Sequence, residues 1–83
     1  NPMVESVTLH YRGADSFEQI RLEDASGKLI RLLDCSELQR YPTDPENVRD
    51  VTCTWDIDGV GKGVYFIHMV SQEGSKRLRI IKM

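Results

Sequence analysis

Two histidines, two cysteines and a few closely spaced carboxylates are the side chains of this sequence best equipped for catalysis or metal binding. His10 and His68 each lack a Cys, Asp or Glu at the short spacings that let metal ligands share one element. No Ser, His and acid stand in an order that suggests a nucleophilic triad. Cys35 and Cys53 show neither metal spacing nor a Cys-x-x-Cys pair. They allow one disulfide, which would suit an oxidising compartment, or two free thiols, and the sequence leaves both open. Asp44 and Glu46, and Asp56 and Asp58, read as turn acids that cap backbone amides. Asp56-Ile57-Asp58 begins like a calcium loop, but the EF-hand pattern does not continue. Gly59-Val60-Gly61-Lys62-Gly63 has the glycines of a phosphate cradle, yet no Ser or Thr follows the Lys and a β-forming segment follows instead of a helix. The expectation is therefore a turn at 59–63, no catalytic residues, no metal, no cofactor and no small-molecule substrate. An 83-residue β domain also offers little concave space for a substrate.

The elements behind these residues follow from size and pattern. Eighty-three residues make a single domain, 1–83, whose short chain buries roughly 60% of its unfolded surface. Apolar content of 40% and charged content of 29% suit a folded domain. The net charge of −2 argues against a nucleic-acid binder held by phosphate contacts. That total hides an asymmetry: residues 76–83 hold Lys76, Arg77, Arg79 and Lys82 and no acid. No run approaches the ~20 apolar residues of a membrane span. The start at Asn1-Pro2 rather than at Met is what a processed piece of a longer precursor would show.

The dominant period is two. Val7, Leu9 and Tyr11 alternate with polar residues, as do Ile20 and Leu22, and Val51, Cys53, Trp55 and Ile57. Such alternation predicts antiparallel strands with one apolar and one polar face. In Asp24-Ala25-Ser26-Gly27 the carboxylate can bond the backbone two residues on, and Gly27 can take a positive φ. Residues 35–50, with Pro42 and Pro45, read as a long crossover loop with a short strand or one helical turn near 37–41. The fold predicted is all-β: a small antiparallel sandwich of six or seven strands without regular helices.

Four places, in order, resemble the C-terminal sorting domain of the type IX secretion system, the outer-membrane export route of Bacteroidetes. Asn1-Pro2 matches the end of the family's opening Pro-Asn-Pro. Leu22-Glu23-Asp24-Ala25-Ser26-Gly27-Lys28-Leu29 fits its strand–Asp–Gly–strand pattern. Gly63-Val64-Tyr65-Phe66-Ile67 fits its Gly-Val/Ile-Tyr-Phe-Val/Ile strand opening. Arg79-Ile80-Ile81-Lys82 fits its terminal Lys-Ile-Ile-Lys, with Arg for the first Lys. The acidic loop 35–50 and the Gly59-Val60-Gly61 spacing depart from the family pattern. The resemblance implies an immunoglobulin-like antiparallel β-sandwich of about seven strands and no enzymatic activity. It implies a signal that directs an N-terminal cargo from the periplasm to the outer-membrane surface. The partners implied are the translocon, its outer-membrane shuttle and a sortase-like peptidase that in many members replaces the domain with a lipopolysaccharide anchor.

The tail is where the likeness and the residues meet. Tyr65, Ile67 and Met69 would face the core beside Trp55 and Ile57, with Gly74 in the hairpin turn. Val64, Phe66 and Val70 would lie on the opposite side. The surface expected to meet a partner is Gly63, Val64, Phe66, Val70, Lys76, Arg77, Arg79, Ile81, Lys82 and Met83, by strand addition, apolar contact and positive charge. A small edge-rich sandwich could also exchange strands as a homodimer. The competing reading is a generic immunoglobulin-like adhesion or carbohydrate-binding module. Sugar stacking on Trp55 would serve that reading, but the alternation places Trp55 in the core.

Overall fold

The computed structural model describes residues 5–40 and 44–83. Asn1-Pro2 and Pro42 lie outside them. Six strands and one helical turn form two antiparallel sheets packed as a sandwich. The strands are β1 (Ser6–Gly13), β2 (Gln19–Asp24), β3 (Leu29–Leu33), β4 (Arg49–Asp56), β5 (Gly63–Ser71) and β6 (Gly74–Lys82); α1 spans Ser36–Gln39. One sheet pairs β1 with β4, and the other runs β3-β2-β5-β6. Among the described residues the count is six strands, at the lower of the two numbers expected from the alternation and one below the seven that the resemblance implies, and α1 lies in the crossover between β3 and β4.

Period-two alternation builds the small sheet. Val7 lies opposite Trp55, Leu9 opposite Cys53 and Tyr11 opposite Val51. These side chains point inward, and all but the half-buried Val7 are buried. The intervening Thr8 and Thr54 share a hydroxyl hydrogen bond of 3.1 Å on the solvent side. From the large sheet, Ile20, Leu22, Ile67 and Met69 complete the core.

Turn chemistry fixes the register of the larger sheet. Asp24 Oδ1 accepts from the Ser26 and Lys28 amides, both at 2.9 Å, and from the Ser26 hydroxyl at 2.7 Å. Those donors, led by the Ser26 hydroxyl, hold its carboxyl below the usual aspartate range. Gly27 takes φ 89°, a conformation that side chains with a Cβ rarely adopt.

Side chains that reach backbone carbonyls stitch the two sheets together. Trp55 Nε1 donates to the Asp34 carbonyl at 2.7 Å. Arg31 donates to the carbonyls of Asp56 and Asp58 at 3.1 and 3.2 Å. The Cys35–Cys53 disulfide crosses the same gap, with Cα atoms 6.1 Å apart, and resolves the choice that the sequence left open. Arg49 clasps the crossover, donating to the carbonyls of Glu37 and Asp15. Leu38 of α1 inserts fully into the core, and Phe17 on the β1–β2 loop donates its amide to the Leu38 carbonyl at 2.8 Å.

Candidate functional site

The catalytic and metal candidates stay apart. His10 lies on the polar side of the small sheet and shares a 3.2 Å hydrogen bond with Thr52 Oγ1. Asp56 Oδ1 accepts from the Asp58 amide at 2.7 Å, and Asp58 Oδ1 accepts from the Glu5 amide at 2.8 Å. Both act as turn acids. No group of three or more metal-binding side chains comes together among the described residues. The 59–63 segment is a turn leading into β5, with Gly59 at φ 85°. An open groove of about 360 Å³ beside the β5–β6 turn is lined partly by Asp15, Glu18 and Glu73, with no basic residue and no histidine.

The final hairpin combines a sheet edge with exposed apolar side chains and cations; β3 forms the opposite edge of the same sheet, and β1 and β4 are edges of the smaller one. β5 and β6 pair over their whole length, from Gly63 opposite Lys82 to Ser71 opposite Gly74. The turn residues are Gln72 and Glu73, and Gly74 at φ 141° carries the chain back into β6. Among the described residues β6 pairs with β5 alone, so its other edge offers backbone groups to a further strand. Ile81 and Met83 are 59% and 92% exposed, and Leu78 is 43% exposed although it lies opposite the buried Ile67.

The tail cations divide into two groups. Lys76 lies 3.7 Å from Asp15 and 5.4 Å from the centroid of the Tyr11 ring. Lys82 is turned inward: its ammonium donates to the carbonyls of Ile57 and Val60 and lies 3.6 Å from Glu5. Its charge is therefore a stitch between the sheets and not part of a displayed surface. Arg77 and Arg79 point outward, and no carboxylate pairs with Arg79 among the described residues. Tyr65 is half-buried against the core and donates its hydroxyl to the Gly61 carbonyl at 2.7 Å. Ile67 and Met69 are buried as the alternation predicts, while Val64, Phe66 and Val70 are half-exposed on the opposite side.

Sequence reasoning missed the partner of His68. Glu23, only 5% exposed, lies on the same outward face of the large sheet. Its carboxylate accepts from Arg21 Nε at 2.8 Å, faces His68 Nδ1 at 3.1 Å and lies 3.7 Å from Arg77. Arg77 packs its guanidinium over the Phe66 ring at 4.3 Å from the centroid. The hydrogen bond from Arg21, then that from His68, holds the Glu23 carboxyl below the usual range. The available signal was strand register: Glu23 alternates with Leu22, and His68 with Ile67. Pairing β2 against β5 was needed to bring them together.

No family model, curated protein or solved structure matches this chain.

Proposed function

We propose that this domain is a non-catalytic recognition module, a C-terminal signal that presents its cargo to the type IX translocon and its outer-membrane shuttle. A sortase-like peptidase would then act on the precursor. The observation that carries the reading is β6: a nine-residue edge strand with one free side, exposed Leu78, Ile81 and Met83, and the outward cations Arg77 and Arg79. A partner strand could pair along that edge while its side chains take the apolar positions. The disulfide Cys35–Cys53 supports a route through an oxidising compartment, which the periplasm is. Burial of Trp55 in the core disfavours sugar stacking on its ring.

Fusing residues 1–83 behind a periplasmic reporter in a type IX-competent host tests the reading. Reporter on the cell surface is the expected result; reporter held in the periplasm refutes it. Because Lys82 is a structural stitch, deletion of residues 79–83 mixes recognition with folding. Arg79→Gln with Ile81→Ser touches only outward side chains. That pair should abolish surface display while leaving stability within about 0.5 kcal/mol, as read by thermal melts.

A further inference from the structure

The two outer faces of the sandwich differ in kind. Opposite the core, the small sheet shows hydroxyls and paired charges, including Thr8 with Thr54 and Arg12 with Asp50. The large sheet shows a cross-strand row: Leu32 opposite Arg21, Arg21 opposite His68, and His68 opposite Arg77. Leu32 is 56% exposed at the β3 end of this row. A parallel row places Arg79 opposite Phe66 and Leu29 opposite Glu23.

We infer that this face docks an extended acidic segment of a partner protein, with its carboxylates on Arg21, Arg77 and Arg79 and an aliphatic residue on Leu32. The inference deepens the recognition reading and rests on it, but it concerns the sheet face and not the β6 edge. Charge complementarity carries it. Arg21 and Arg77 share one carboxylate, Glu23, and Arg79 on the same face has no carboxylate partner among the described residues, so the face keeps a net positive charge. Glu23 at 3.7 Å and the Phe66 ring at 4.3 Å also hold the Arg77 guanidinium in place. An arginine so restrained loses less conformational freedom when a second carboxylate arrives. Strands lie about 4.8 Å apart, so Arg21 and Arg77 stand two spacings, roughly 10 Å, apart on the backbone. In an extended chain, alternate residues share a side at about 6.8 Å. Both guanidinium groups converge on the Glu23 carboxylate, so they stand closer together than their backbones and can meet carboxylates at that repeat as they are held. The matching segment therefore carries Asp or Glu at every second position, with Leu or Val next to the pair. The exposed aliphatics Leu29 and Leu32 sit on a strand and do not project from a loop, which favours a protein segment over insertion into a lipid surface.

The test titrates the full 83-residue domain, with its disulfide intact, with an end-blocked nonapeptide that alternates Asp and Val and ends in Leu. Amide shifts are followed by two-dimensional NMR. Shifts confined to residues 21, 29–32, 66–68 and 77–79 are expected, with at least tenfold weakening in Arg77→Gln/Arg79→Gln and in 0.5 M salt. Melts of that variant establish that it remains folded. The same peptide with Asn for Asp should leave the spectrum unmoved. Absence of shifts, shifts spread over the small sheet, an equal response to the Asn peptide, or binding only to phosphatidylglycerol vesicles would each overturn the inference. No export machinery enters this assay, so it can fail while the reporter fusion succeeds, and the reverse.

Discussion

Glu23 is the residue whose chemistry departs most from its position. A strand residue on an outward face would ordinarily be solvated, yet this carboxylate is buried under Arg21, His68, Phe66 and Arg77. Its folded-state pKa is lowered, first by the Arg21 hydrogen bond. A lowered carboxylate pKa contributes stability above the unfolded value, near 4.5, and that contribution disappears as pH falls through the folded value. Glu23→Gln should therefore destabilise the domain by about 1–2 kcal/mol at pH 7. Below pH 4.5 the gap from wild type should narrow. Urea melts of both proteins at pH 7 and pH 3 check this, and an equal gap at the two pH values would refute it. Tyr11 makes a second local arrangement, its hydroxyl donating to Asp15 Oδ2 at 3.0 Å and accepting from the Asp15 amide at 3.2 Å. Gly13 permits that closure, because a Cβ there would lie 2.3 Å from the Tyr11 oxygen.

Among the elements, α1 does more for the fold than its four residues suggest. A helix of one turn has no stability of its own. It persists because Leu38 is fully buried, the Cys35 amide donates to Gln39 Oε1 at 2.7 Å, and Arg49 holds the Glu37 carbonyl. Leu38→Ala should cost about 2–4 kcal/mol through the cavity it leaves, measured by urea denaturation. A loss under 1 kcal/mol would mean that the crossover contributes little to the core. The β2–β3 and β5–β6 turns behave oppositely: Asp24 and Gly27 in the first, and Gly74 in the second, specify local geometry that needs no distant partner.

For the molecule as a whole, the question is what binds a two-stranded sheet to a four-stranded one. The Cys35–Cys53 bond spans 18 residues and joins the crossover to β4. Closing a loop of that size restricts the unfolded chain by about 3 kcal/mol. A Cys35→Ala/Cys53→Ala variant should lose stability on that order, and wild type in dithiothreitol should lose a similar amount. Unchanged midpoints in both would show that Arg31, Trp55 and Lys82 suffice to join the sheets.

Strand character, the inward set of Leu9, Tyr11, Val51, Cys53 and Trp55, and the Asp24–Gly27 turn were legible from the chain alone, because alternation and turn chemistry act over a few residues. The same locality made the outward placement of Val64, Phe66 and Val70 readable. Four matters were decided only by packing: the disulfide, the helical turn around Leu38, the inward path of Lys82, and the meeting of Glu23 with His68 across 45 residues. Each depends on which strands become neighbours and how the sheets overlap, and the energy that selects those neighbours comes from burying a shared core rather than from any single segment.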